Sequence, residues 1–420
     1  MKITILNGNP FPTAFDTTLG QIQNLLEGQG HVVTRLDLRE LNLRYCVGCF
    51  GCWVKTPGQC VARDASLEMD RAVIQSDFTL WAAPLIMGFP SALLKMAMDK
   101  HIPLIHPYMV VDQMEAHHAK RYDRYPRLGL LVEKEASTDA RDLQIVSEIF
   151  CRTALNLKTR LEFCLSSATP PAELAQRIAV KPAQALPLPQ PLGATQGVSV
   201  PPPTRLTIFN GSPRGRRGNT PMLLGEFAKG FGGPSELHHL IQVKQTDSHV
   251  RAFAEAECAW LGFPLYTDAM PGSTKHFIEA LAPLAGRPNN PPLGFLIQSG
   301  FPEGLHLRRV ERYLEKLAGR LGSPYLGTIV KGNGEGVRIT PGQANRVLFE
   351  DLQALGAGLA REGRLDAQIL ARVAAPERFP LYLWPVFTVF LRLPFAHAYF
   401  DNMLKQNGVY DRRDAQPFAG

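Results

Sequence analysis

Apolar residues along this chain follow two rhythms that alternate: short β-branched runs, and longer stretches with an apolar position every three or four residues. Lys2–Leu6 (KITIL) is a run of the first kind. It leads into the turn residues Asn7-Gly8-Asn9-Pro10, a helical pattern over Thr17–Glu27 and a further strand over Val32–Leu38. Ser76–Ala83 reads as another strand, followed by the loop Pro84-Leu85-Ile86-Met87-Gly88-Phe89-Pro90 and a helix over Ser91–Lys100. The same order returns roughly 200 residues later. Arg205–Phe209 (RLTIF) precedes Asn210-Gly211-Ser212-Pro213 and a helix from Thr220 to about Phe231, and Cys258–Phe263 precedes Pro264–Pro271 and a helix over Gly272–Leu281. Even the spacing repeats, since Gly8 stands to Thr17 as Gly211 stands to Thr220. Strands alternating with helices predict parallel sheets covered on both faces, so the chain reads as two doubly wound α/β domains in tandem.

The division this suggests is a first domain over 1–180, a Pro-rich linker over 181–203, a second domain over 204–370 and an aromatic-rich extension over 371–420. The linker has seven prolines, no charge after Lys181 and no helical or strand period, which predicts a stiff extended spacer. In the extension, Phe379–Phe400 is crowded with aromatics but lacks a Lys/Arg-rich polar face. Docking onto the other domain or a second subunit is therefore expected rather than a membrane surface. The longest apolar run, Phe379–Leu391, is too short to span a bilayer, so no transmembrane segment is expected. The opening MKITILNGNP enters a strand directly, without signal-peptide anatomy, and predicts a cytoplasmic protein. The net charge of +7 is spread without a Lys/Arg block. Nucleic acid is not called for, although an anionic cofactor suits it.

In doubly wound sheets ligands collect at the carboxyl ends of strands, where these loops lie. Asn210–Thr220 places small and hydroxyl residues between a strand and a helix, exposing backbone N–H groups and a helix N-terminus to an anion. Arg214, Arg216 and Arg217 add charged donors. A plain turn with an Asn/Thr cap is the alternative. His101, His106, His117 and His118 read as part of a surface insertion or dimer contact, with a catalytic acid among them the alternative, and His306, Arg308, Arg309 and Arg312 as a solvated basic helix face, with binding of an NADPH phosphate the alternative.

Four of the seven cysteines, Cys46, Cys49, Cys52 and Cys60, fall within fifteen residues. Outside a secreted chain such a cluster points to metal or redox chemistry rather than disulfides. Three successive cysteines separated by two residues favour a [4Fe–4S] cluster over zinc, whose thiolates come in separated pairs. Reduced thiols in a loop are the remaining reading.

These motifs carry a resemblance. Gly211-Ser212-Pro213-Arg214 with Asn219-Thr220 resembles the FMN-phosphate loop of the NADPH-dependent FMN reductase branch of flavodoxin-like proteins. Pro264-Leu265-Tyr266-Thr267 resembles the loop that lies against the flavin ring, and Gln298-Ser299-Gly300 would be a third loop on the same edge. In the first half, Gly8-Asn9-Pro10 with Thr17, and Pro84-Leu85-Ile86-Met87-Gly88, stand in the corresponding places. There Asp16 replaces the Asn and neither the Ser nor the Arg is present. The cysteine run is similar to that of iron–sulfur flavoproteins. The resemblance implies FMN, a [4Fe–4S] cluster on the four cysteines and NAD(P)H as co-substrate. Hydride would pass to the flavin, then electrons to the cluster or to a small-molecule or protein acceptor, in a possible homo-oligomer. The alternatives are a flavodoxin-type electron carrier or binding module without nicotinamide turnover, and a zinc-stabilised scaffold.

Overall fold

The computed structural model describes residues 1–180, 185–340 and 342–420. It divides into two compact units, Met1–Pro189 together with Leu381–Gly420, and Gln190–Pro380.

The first unit is built on β1 (Lys2–Asn7), β2 (Val32–Asp37), β3 (Phe78–Ile86), the two-residue β4 (Phe89–Pro90), an antiparallel hairpin of β5 (Ile105–Asp112) and β6 (Glu115–Lys120), then β7 (Arg127–Glu133) and β8 (Leu161–Ser166). The main sheet runs β2-β1-β3-β7-β8 with every pair on that path parallel, and β4 folds back on the end of β3. This is the flavodoxin-like order, with its switch point between β1 and β3. Ile3, Ile5, Phe78, Leu80 and Leu131 of the sheet bury against Phe15, Leu19, Ile22 and Leu26 of the helix Ala14–Gly28.

That helix begins three residues before the expected Thr17. Thr13 caps it, and the Asp16 carboxylate accepts the Thr13 N–H in return, a reciprocal capping box.

The second unit repeats the plan. β9 (Leu206–Asn210), β10 (Ser235–His239), β11 (Ala259–Pro264), β12 (Leu293–Gln298) and β13 (Tyr325–Lys331) form an all-parallel sheet ordered β10-β9-β11-β12-β13. Trp260, Leu296 and Ile329 pack there against Leu223 and Phe227 of the helix Asn219–Phe231 and Leu352, Leu355 and Leu359 of the helix Arg346–Glu362. Two flavodoxin-like α/β sheets therefore stand in tandem.

Two of the expected boundaries move. Lys181–Gln184 of the linker lie outside the described residues. From Gln190 onward the chain belongs to the second unit, because its backbone finds partners at the open edge of β13. Val198 N–H donates to Tyr325 O, Val200 N–H to Gly363 O, and Thr195 bonds Glu311. A Pro-rich segment tolerates such edge positions, where few of its N–H groups are needed. At the other end, residues up to Pro380 stay with the second unit, where Glu377 pairs with Arg308.

Leu381–Gly420 closes the first unit. The helix Pro394–Gln406 buries Leu404 against Trp53 and Val54, and Phe418 is also buried. Arg121 holds the Arg413 and Ala415 carbonyls at 2.9 and 3.0 Å. The segment docks with one side only. Its apolar stretch, Leu381–Gln406, is 26 residues, longer than the apolar run in the sequence suggests, and it breaks at Arg392 into the helices Trp384–Phe390 and Pro394–Gln406.

Candidate functional site

The loop after β9 and the loop after β1 are built alike. Asn210 Oδ1 accepts from Ser212 N–H at 3.0 Å, as Asn7 Oδ1 accepts from Asn9 N–H at 3.0 Å. Gly211 N–H reaches Gly262 O and Gly8 N–H reaches Ala82 O, each at 2.7 Å. The Thr274 and Ser91 hydroxyls, on the helices after the second loop of each unit, donate to the carbonyls of Gly211 and Gly8. Glycine is required at both places. A Cβ would sit 2.3 Å from Thr274 Oγ1 at Gly211, and 2.6 Å from Leu94 Cβ at Gly8.

In the second unit the helix Asn219–Phe231 starts after Gly218, with no side-chain cap among the described residues. Its first-turn N–H groups therefore remain for an anion. Ser212 and Thr220 are buried beside it. Arg214 donates to both Glu335 oxygens at 3.0 and 3.1 Å, and Asn219 Nδ2 donates to Glu335 Oε2 at 3.1 Å. Arg338 bonds Asn219 Oδ1 and Gly218 O. Two donors assigned to a phosphate are thus held by a carboxylate from the segment beyond β13.

The other expected residues gather on the same edge. Leu265 N–H donates to Gln298 O at 2.7 Å, while the Gln298 amide reaches Thr220 Oγ1 at 3.4 Å. Gln298 thereby ties the Pro264 loop to the Ser212 loop. Tyr266 and Ala269 exchange backbone bonds around Thr267 and Asp268, both with positive φ. Ser299 N–H is fixed on Lys331 O, and Gly300 extends beyond it.

The first unit differs in charge. Asp16 accepts from Asn7 at 2.7 Å, Asn9 at 2.7 Å, Arg39 at 2.8 Å and Arg35 at 3.0 Å. Burial opposes its charge, but the Thr13 N–H, Arg39, Asn7 and Asn9 outweigh it and hold the carboxyl down at about 2. A fixed anion fills the loop where a phosphate was expected. Thr17, its expected partner, is exposed on the helix because the helix starts early. The loop Pro84–Gly88 is occupied as well, with Met87 N–H and Gly88 N–H donating to the Glu135 carboxylate at 3.1 and 2.6 Å. In this unit the Asp16 and Glu135 carboxylates take the loop donors, whereas in the second unit the start of the helix Asn219–Phe231 has no side-chain cap among the described residues.

Cys46 and Cys49 lie on the loop leading into the short helix Gly51–Val54, Cys52 within that helix and Cys60 on the loop that follows it. Burial raises the Cys46 thiol to about 12. Burial, then the charges of Cys46, Cys60 and Cys49, raise Cys52 well above its usual value. The four are therefore electrostatic neighbours. Cys60 Sγ accepts from Lys100 Nζ at 3.4 Å, and Lys100 also pairs with Asp64 at 2.8 Å. Among the described residues no three Cys, His, Asp or Glu side chains converge as metal ligands. The donor chemistry of four neighbouring thiols fits a thiolate-bound centre. Phe50 stacks on Trp53 with ring centroids 5.2 Å apart, and Phe400 meets both edge-on at 5.7 Å.

The histidine segment serves the fold. His101 Nδ1 meets Asp70 at 2.8 Å and His117 Nδ1 meets Asn156 at 2.8 Å, both buried, while burial lowers His118 to about 4. The expected basic face at Arg308, Arg309 and Arg312 is not solvated as a whole. Arg308 and Arg309 are buried, and the three hold Glu377, Gln190 O and Gly193 O.

Residues 1–116 match the sequence profile of the NADPH-dependent FMN reductase family. That stretch contains the Gly8 loop, the cysteine run and the Pro84 loop. An iron-sulfur flavoprotein of Archaeoglobus fulgidus is 33% identical over 81 residues, 19% of this chain and 36% of that protein. One from Methanocaldococcus jannaschii is 30% identical over 105 residues, 25% and 53% respectively. The chain thus spans between about a third and about half the length of these relatives. Among solved structures, an azoreductase from Bacillus anthracis aligns at 12% identity and TM-score 0.30, over 37% of this chain and 99% of its own. The Trp repressor binding protein from Bacillus subtilis aligns at 19% and 0.30, over 39% and 99%.

Proposed function

We propose that this chain is an FMN-dependent oxidoreductase whose flavin is held by the second unit. The observation that carries this is the helix Asn219–Phe231, which opens without a side-chain cap onto Ser212, Arg214, Asn219 and Thr220. The family match and the two iron-sulfur flavoprotein relatives support a flavin reductase. FMN, when bound, accepts hydride equivalents and releases electrons singly or in pairs. In this reading the loop N–H groups and Ser212 hold the phosphate. Arg214 and Asn219 turn from Glu335 to the same anion, and Leu265–Thr267 with Gln298–Gly300 wall the ring. Cys46, Cys49, Cys52 and Cys60 would hold a [4Fe–4S] cluster in the first unit through their thiolates. NAD(P)H is the proposed donor, and a small molecule or protein the acceptor.

A second reading is an electron carrier without nicotinamide turnover. It is favoured by the commitment of Arg308, Arg309 and Arg312 to the chain's own groups, which removes the basic face expected after the third loop.

Anaerobic purification of the full chain tests both. We expect flavin absorbance, and iron with acid-labile sulfide that is lost on Cys52→Ser but not on Cys258→Ser. The pair Arg214→Ala and Thr220→Val should weaken FMN by two hydrogen bonds, the charged one contributing about 1.5–3 kcal/mol. Unchanged FMN affinity in that variant rejects the second-unit site. Tight FMN without NAD(P)H oxidation selects the carrier.

A further inference from the structure

The stretch Leu381–Gln406 is long and apolar enough to cross a membrane by length and composition, yet almost none of it is buried. It is built as a turn at Leu381–Leu383, a helix over Trp384–Phe390 and a second helix over Pro394–Gln406. Neither helix approaches the ~20 residues that a span requires. One side is anchored. Trp384 and Leu404 are buried, Tyr108 donates to Asp401 at 2.6 Å, and the Tyr108 and His397 rings lie 4.5 Å apart. The residues that follow return to the same unit, with Phe418 buried and Arg413 and Ala415 held by Arg121. A crossing would put Leu404 and Phe418 on the far side of the bilayer from the core they complete.

The other side faces water. Leu381, Tyr382, Val386, Val389 and Phe395 are 59–76% exposed. A contiguous apolar surface of this kind marks something it meets. Its charge says what. From Phe379 to Phe400 there is no carboxylate, and the one charge is the exposed Arg392. The first acid beyond, Asp401, is taken by Tyr108. Beyond it the exposed Lys405 and Arg412 alternate with the exposed Asp411 and Asp414, so Arg392 is the charge that lies on the apolar face itself. A second copy docking face to face across a two-fold axis would bring this arginine with no acid of the stretch to answer it. We propose that Leu381–Tyr399 lies in the plane of an anionic lipid surface. The aliphatic and phenyl side chains enter the acyl boundary, Tyr382 and Tyr399 sit at head-group depth, and Arg392 meets lipid phosphates.

Flotation of the full-length protein with vesicles tests this, comparing phosphatidylcholine alone with an equimolar mixture of phosphatidylcholine and phosphatidylglycerol. Binding is expected only to the anionic vesicles, and raising salt to about 0.5 M should weaken it. The double change Val386→Asp with Val389→Asp should abolish binding. Arg392→Glu should reduce it about tenfold. All three positions are exposed, and an unchanged near-UV circular dichroism spectrum confirms that the variants fold. No flotation with anionic vesicles overturns the proposal. So does a concentration-dependent dimer that Val386→Asp disperses, which assigns the face to a second copy. Retention through an alkaline carbonate wash overturns it in favour of a span.

Discussion

Asp16 collects hydrogen bonds from Asn7, Asn9, Arg35 and Arg39, and its carboxyl sits at about 2 rather than 3.8. Because the folded value is the lower, the stability it contributes is complete above the unfolded value and is lost as pH falls through the folded one. Acid unfolding followed by circular dichroism should therefore show a transition between about pH 4 and 2 that Asp16→Asn flattens. Glu335 plays another part. It binds Arg214 and Asn219, the groups assigned to the flavin phosphate, so a ligand must displace it. Glu335→Gln removes that competing charge, and FMN titration by fluorescence quenching should show affinity rising about tenfold, ~1.4 kcal/mol. A fall in affinity would show instead that Glu335 shapes the loop.

At the scale of elements, the helix Pro394–Gln406 lies on Trp53 beside the cysteine loop, and Leu404 is its one fully buried side chain. Leu404→Ala should cost about 2–5 kcal/mol in urea unfolding of the full chain. It should also quicken alkylation of Cys52, which that packing covers. What could be read beforehand divides along the same line. Strand order and the Gly and Pro-Leu loops were legible, because β-branched runs and turn residues are local signals. The early helix start was written in Thr13-x-x-Asp16, a capping pattern within four residues. The closure of the phosphate loop by Glu335 and Arg338 was not legible. Those residues stand more than 110 positions from Arg214 and Asn219, and meet them only because β13 ends on the same sheet edge. The partners of the linker were not legible for a related reason. Proline content describes the chain's stiffness but not the carbonyls of Tyr325 and Gly363 that receive it.

For the whole molecule, the first unit is discontinuous: its main sheet and cysteine loop are encoded before the second unit, and Leu381–Gly420 after it. During synthesis the second unit, whose residues are contiguous from Gln190 to Pro380, can finish while the first still waits for its closing segment. Trp53, Val54 and the surrounding thiols stay uncovered through that interval. The cysteine loop is therefore most open to a reagent or a ligand before Leu381–Gly420 packs against it.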